Sequence, residues 1–483
     1  MPPIGRCEGG RSSWPDSRRS SWRGLRTTSA QDAPCEELLQ KQLRAGEAND
    51  AEPSHVKLVA MQTSAPGTNQ EPQLSSSTLT AKEAQAEIGD DDTVLLEYAL
   101  GDEQSYLWAI DRQHTASYAL PPSGHIKKVV ESFRKTLQPP QSKEGESAAE
   151  YQARARRVDQ EFQAYSRQLS KLLLGTVSLK TTRRILIVPD GFLQYIPFAA
   201  LPEPGSARGQ PLISSQEVVI LPSASALASM RKATANRTPP TAIAAVFADP
   251  VFEPDDPRVS TSGGTGKRRG QEHPPALERA ISDIGGSSYI ARLPASRNEA
   301  NAIATIFRPR EPQSVRVALD FDANRDYVLA EGLSRFRLIH FATHGLVDTR
   351  HPERSGLILS LVDRKGRKED GYLRLGDIYK LKLSADLVVL SSCDSALGRD
   401  LDSEGIIGLP RGFLYAGAKS VIATLWKVND EATAKLMASL YAGIRRGESP
   451  SAALRGAQLE MVHDPEWSKP YYWAAFTLQG DYR

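Results

Sequence analysis

Apolar residues fall into two kinds of run along this chain. Short β-branched or leucine-rich runs, bounded by turn residues, predict strands at 93–100, 105–110, 185–188, 217–221, 243–247, 315–319, 338–342, 387–390 and 420–424. Apolar residues at helical spacing predict helices over 126–137, 150–174, 324–333 and 405–416, the last despite Pro410. Ser296 and Glu299 have the form of a capping box opening a helix that buries Ala300, Ile303 and Phe307. Asp430 is read as the cap of a helix burying Leu436, Leu440 and Ile444, and Ser449-Pro450 opens the next. Residues 101–104 join an N-terminal hairpin, 356–361 and 371–375 a second one, and 472–478 is a closing strand. Strand and helix alternate from about Ile185 onward. That alternation predicts an α/β fold, a mainly parallel sheet flanked by helices, with the hairpin and helices as an N-terminal extension.

Polar stretches set the expected boundaries. Residues 1–77 scatter Arg6, Arg11, Arg18, Arg19, Arg23 and Arg26 among Ser, Gly and Pro with no apolar periodicity, and are read as a disordered leader. Ordered structure is expected over 78–483, with 78–180 as the N-terminal hairpin and helices and 181–483 as the α/β core. A flexible, exposed loop is expected at 255–275, where Gly, Ser, Pro and charge accumulate. Within it Gly263 to Gly270 is no phosphate-binding loop, because Arg268 stands where a magnesium-binding hydroxyl belongs. Its Lys267-Arg268-Arg269 run is either a solvated basic linker or a site of self-processing.

Composition narrows the function classes. Sixty Lys and Arg against 58 Asp and Glu leave a net charge of +2, which argues against a dedicated nucleic-acid surface. No apolar run is long enough for a membrane span. Three cysteines in 483 residues make no disulfide framework, so a reducing compartment, the cytoplasm, is expected. No cofactor or metal is called for. A doubly wound nucleotide-binding reading fails for lack of a G-x-G-x-x-G after a strand.

The chemistry lies at two strand ends. The 338–342 run leads into Thr343-His344-Gly345, and the 387–390 run into Ser391-Ser392-Cys393-Asp394. Parallel sheets carry functional groups just beyond the carboxyl ends of their strands. Peptide hydrolysis through a thiol needs a nucleophile, a proton donor for the leaving amine and oxyanion donors. Cys393 and His344 suit the first two; the backbone N–H groups of Gly345 and Cys393 suit the third, since glycine admits close approach. Each signal alone also fits a structural cysteine or a His-Gly turn, and spacing by itself leaves both readings open. His340 is read as a core imidazole with a partner.

The segments 340–345, 390–398, 404–405, 412–418, 425–430 and 473–476 resemble the CHAT domain, a branch of the caspase-like cysteine peptidases that includes separase. Upstream, 95–98, 187–191 and 221–225 are similar to it too. The resemblance implies a caspase-like sheet with His344 and Cys393 as a catalytic dyad and no required third carboxylate, although Asp348 stands close by in sequence. It implies cleavage of a protein or peptide substrate after a basic residue, with Asp394, Glu404 and Asp430 as the carboxylates that would receive it. The alternative is a catalytically silent caspase-like scaffold for a partner. Relatives commonly carry tetratricopeptide repeats ahead of this domain. None is read in this chain, so the expected partners are the substrate and an activating protein, without repeat-mediated recruitment, nucleic acid or membrane.

Overall fold

A computed structural model of the chain describes residues 79–483 apart from 207–208, 261–272, 284–288, 309–311, 331, 349–350 and 392–404. The leader expected at 1–77, the dibasic run, and Cys393, Asp394 and Glu404 therefore lie outside the described residues.

The strands, in chain order, are β1 (Thr93–Ala99), β2 (Ser105–Ile110), β3 (Thr115–Leu120), β4 (Arg184–Val188), β5 (Glu217–Ile220), β6 (Ala242–Pro250) and β7 (Val315–Asp320). They continue as β8 (Phe336–Ala342), β9 (Gly345–Leu346), β10 (Gly356–Ile358), β11 (Tyr372–Arg374), β12 (Leu387–Leu390), β13 (Ser420–Thr424) and β14 (Phe476–Gly480). Eleven of them form one sheet in the order β3-β2-β1-β4-β5-β14-β13-β12-β8-β6-β7, and β11-β10-β9 form a small second one. The large sheet is parallel except at β3–β2, β2–β1 and β14–β13. This is the mainly parallel α/β arrangement that the strand–helix alternation predicts.

Both faces of the central strands are covered. All residues of β4, β12 and β13 are buried, which is why they read as continuous apolar runs rather than alternating ones. On β8 successive side chains separate. Phe341 stacks on Phe247 at 5.0 Å and meets Phe413 at 5.6 Å. His340, one residue earlier and pointing the other way, meets Tyr441 of helix Asp430–Arg446. The N-terminal hairpin joins the same sheet through β1, which runs parallel to β4 with Leu95 opposite Leu186. Arg184 on β4 and Glu217 on β5, both buried, form an ion pair at 3.0 Å, with Tyr482 packed on the guanidinium.

Two helix starts differ from the sequence reading. Helix Pro294–Phe307 begins two residues before Ser296, with Leu293 as an N-cap that has no side-chain bond and Pro at the start. A proline fits there because its missing N–H would have no intrahelical partner. Ser296 and Glu299 are both buried, so the expected capping box does not form. Helix Asp430–Arg446 is capped by Asn429, whose Oδ1 accepts from the N–H groups of Glu431 and Ala432. Asp430 is the first helical residue instead. Near the C-terminus Pro470 starts a short helix, Pro470–Trp473, and the closing strand begins only at Phe476. The helix expected at 324–333 is confined to Arg325–Leu329, capped by Asn324.

Helix Gly405–Tyr415 returns to β13 through Gly417, whose φ is +110°. A Cβ there would lie 2.4 Å from the Leu383 carbonyl oxygen, a backbone atom. Both the φ and the clash oppose any other residue. Gly417→Ala is expected to destabilise the protein by about 2–4 kcal/mol, read as a lowered urea midpoint. A midpoint equal to wild type would remove this account of the turn.

Candidate active site

β8 and β12 are direct neighbours, with Leu338 opposite Leu387 and Phe341 opposite Leu390. Their carboxyl ends therefore emerge side by side. Ser391, just past β12, donates its N–H to the Phe341 carbonyl at 3.1 Å. His344 lies two residues past β8, where the chain turns into β9, and its carbonyl accepts the Ile358 N–H. Gly345 opens β9, buried and opposite Leu357.

The imidazole of His344 is half-buried against the Phe252 ring, centroids 5.3 Å apart. Its Nε2 stands 2.7 Å from the Ala291 carbonyl oxygen. A carbonyl only accepts, so Nε2 donates a proton to it. The orienting group is thus a backbone oxygen. Asp348 is buried, and its Oδ1 takes the His351 N–H at 2.8 Å.

Why Ala291 sits there follows from a charged cluster beneath it. Asp249, fully buried at the end of β6, has φ +46°, and Asp320 at the end of β7 has φ +53°. Aspartate tolerates this left-handed region better than most residues. The Asp249 carboxylate receives Arg292 through bonds of 2.8 and 2.7 Å and Arg297 at 2.7 Å, with Arg258 at 3.1 Å. Arg258 and Arg297 also bind Asp320. Arg258 lies in the segment expected as an exposed loop, and its neighbour Val259 is buried beside Val251 and Val362. Ile290, buried, gives its N–H to Glu253 at 3.3 Å. Residues 289–293 are therefore pinned on either side of the carbonyl that holds His344.

One narrow cavity of about 30 Å³ touches both strand ends; its lining includes Leu293, Glu299, His344, Ser391, Asp430 and Thr433. That volume holds one or two water-sized groups. A wider cleft of about 710 Å³ shares Ala295, Lys427, Val428 and Asp430 with it and is walled by Tyr471 and Tyr472. Of the residues that sequence singled out, His344 and Asp430 line the same cavity; Asp430 does so because Asn429 took over the cap. His340 is buried as expected, its Nδ1 2.9 Å from the Tyr441 hydroxyl. Burial, reinforced by the Glu299 charge, pushes that hydroxyl well above the ordinary tyrosine range. Two groups were missed. Glu299 looked like a cap, and Ala291 acts through its backbone, which leaves no residue signature.

The CHAT domain pattern matches residues 163–481. The chain belongs to the CHAT domain family. Among curated proteins it is 26% identical over 329 residues to mouse tetratricopeptide repeat protein 28 and 25% identical over the same length to the human one. Either match takes in 62% of this chain but only 12% of the relative, so the chain spans about an eighth of those proteins. This corrects the expectation on partners. Repeat-mediated recruitment was set aside because no repeats were read in this chain, yet the relatives it matches are tetratricopeptide repeat proteins. Among solved structures, the separase–securin complex of Saccharomyces cerevisiae aligns with a TM-score of 0.49 at 10% identity, covering 83% of this chain and 30% of that one. The Arg-specific cysteine proteinase gingipain R aligns with a TM-score of 0.40 at 10% identity, covering 74% of each. Among the described residues no helix is long and apolar enough to cross a membrane.

Burial alone would raise the pKa of Asp249, but the bonds from Arg292 and Arg297 and the charge of Arg258 outweigh it and hold the carboxyl below its usual range. A depressed carboxylate contributes stability that is present above its unfolded pKa of about 4 and is lost as pH falls through the lower folded value. Asp249→Asn is expected to destabilise the fold at pH 7 by about 3–5 kcal/mol, because three guanidiniums lose their shared anion. It should also flatten the fall in Tm below about pH 4. Thermal melts of both proteins across that range test this. Parallel Tm–pH curves would refute the clamp.

Proposed function

We propose that this CHAT chain is a cysteine endopeptidase in which Cys393 and His344 form the dyad. His344 takes the Cys393 thiol proton as the sulfur attacks the peptide carbonyl. The oxyanion is held by the backbone N–H groups of Gly345 and Cys393. Collapse breaks the C–N bond, His344 gives a proton to the leaving amine, and water then hydrolyses the acyl-thioester and restores the thiol. The support is positional: His344 and Ser391, which precedes Cys393 by two residues, line one cavity because β8 and β12 pair in register. The Ala291 carbonyl adds to it by holding the imidazole through its Nε2–H. Cleavage after a basic residue draws on Asp430 at the cavity, with Asp394 and Glu404 as the further carboxylates of the family motif. A nucleophilic thiol suits a reducing compartment, so we place the protein in the cytoplasm. We take the CHAT unit to begin near residue 78 rather than at 163, because β1 extends the same sheet and Glu87 pairs with Arg231, which also binds Asp481.

The competing reading, a scaffold without turnover, draws on the repeat-protein names of the curated relatives. A thiol-directed, peptide-based activity probe separates the two. Labelling at Cys393 is expected to rise with dose and vanish in Cys393→Ala. It should slow by about 100-fold in His344→Ala, the scale of a lost acid–base group. Folded wild-type protein that leaves Cys393 unlabelled at saturating probe sinks the peptidase reading.

A further inference from the structure

A polar layer crosses the apolar core beneath the cavity. His340 and Glu299 are 1% and 4% exposed, and Tyr441 is fully buried. Glu299 Oε1 stands 3.0 Å from His340 Nε2, and His340 Nδ1 stands 2.9 Å from the Tyr441 hydroxyl. The other carboxylate oxygen takes the Ser391 hydroxyl at 3.3 Å. On the sheet, the neighbours of His340 are Val246 on β6 and Val389 on β12, so hydrocarbon would suit its place. Apolar side chains of similar volume often replace buried polar pairs with no loss of stability, whereas an imidazole facing a carboxylate admits few arrangements. The layer therefore points to a need for one arrangement.

What it arranges is the pair of segments that meet at His344. His340 precedes His344 on the chain leaving β8, and Glu299 lies on helix Pro294–Phe307, which begins three residues after Ala291. The contact of His340 with Glu299 and the bond from His344 Nε2 to the Ala291 carbonyl thus join the same two segments at two points. A single bond lets a helix pivot about it; a second attachment deeper in the core removes that freedom. We infer that His340 and Glu299 are positioning residues for His344, locking helix Pro294–Phe307 onto β8 so that the Ala291 carbonyl stays in place to receive Nε2–H. Tyr441 backs the lock from helix Asp430–Arg446, its ring also edge-on to Phe307 at 6.1 Å. The Ser391 hydroxyl ties the end of β12 to the same carboxylate. The inference rests on the peptidase reading for the use of His344 as acid and base; the lock itself belongs to the fold.

The test follows the titration of His344 by NMR in histidine-labelled protein, with His344→Gln to assign its signals. An acceptor on Nε2–H favours the imidazolium, so loosening that bond lowers the pKa of His344. Glu299, Lys427 and Asp430 line the cavity with His344 and are kept in every variant. His340→Leu is expected to lower the His344 pKa by about one unit, and His340→Gln, which keeps an N–H toward Glu299, to restore most of it. A positive charge lost from position 340, or a Glu299 charge left unscreened, would move it upward instead. A layer that only stabilises the fold would lower the Tm of His340→Leu and leave the His344 titration where it was. That result, or an upward shift, overturns the inference. If His340→Leu does not fold, Tyr441→Phe decides, since it removes one hydroxyl and keeps the ring: a pKa lower by about half a unit supports the lock, and a wild-type titration overturns it. The titration needs neither peptide nor probe, so failed labelling of Cys393 would end the peptidase reading while these shifts still decide the lock.

Discussion

The pairing of β8 with β12 is the constraint on which the site depends. With Phe341 opposite Leu390, the two strands end level, and His344 and Ser391 come to one cavity. Alternation along a strand makes that register hard to change. Phe341 faces Phe247 and Phe413, whereas His340 faces Tyr441 and Glu299. Sliding β8 within its packing by one residue would drive His340 into the aromatic layer and Phe341 against a buried carboxylate. Both exchanges cost several kcal/mol, one as an unpaired polar group in hydrocarbon and one as an anion stripped of its donors. The sheet thus fixes the spacing of its chemical groups through the unlike character of its two faces.

A second layer of order comes from charge. The segment 289–293 has little regular structure, yet it must hold one carbonyl oxygen to within hydrogen-bond reach of His344. It does so by attachment at both sides: Ile290 to Glu253, and Arg292 to an aspartate that has no solvent of its own. Asp249 lies at a register shift between β6 and β7, where the left-handed residue turns the chain. The three arginines that meet it come from two stretches of chain, Arg258 from one and Arg292 with Arg297 from the other. Buried ion pairs are poor sources of net stability, because desolvation offsets much of the attraction. They are effective at specifying one arrangement, since any other leaves a charge unpaired. Here that arrangement holds in place the carbonyl that receives His344 Nε2–H.

The sheet, its helices and the placement of His344 were legible in the sequence, because burial on both faces leaves a direct trace in composition. Apolar runs at 185–188, 387–390 and 420–424 became β4, β12 and β13 almost residue for residue. What was illegible involves groups whose pattern has two meanings. Ser296 and Glu299 have the spacing of a capping box, and Pro294 two positions earlier was the competing start signal. Once proline opens the helix, serine and glutamate fall in its first turns facing inward, and their polar atoms go to Leu293, Asp249, Ser391 and His340 instead. Asn429 and Asp430 posed the same ambiguity, two good caps in succession. Asparagine took the cap and left the aspartate beside the cavity. A backbone oxygen such as that of Ala291 carries no side-chain signal at all.

These misreadings converge on one place, and the physical reason is common to them. Helix starts are rich in Ser, Asn, Asp and Glu because those residues satisfy exposed N–H groups. Sites beyond the carboxyl ends of parallel strands are bordered by those same helix starts, since each crossover turns there. Local capping and site chemistry therefore draw on the same residue types at the same positions. Burial decides between them. A cap is solvated and its carboxylate finds N–H groups close by, whereas Glu299 is sealed off and faces the His340 imidazole at 3.0 Å. A glutamate used only to start a helix gains nothing from such a position; here it joins Ser391 and His340 in a buried polar layer under the strand ends.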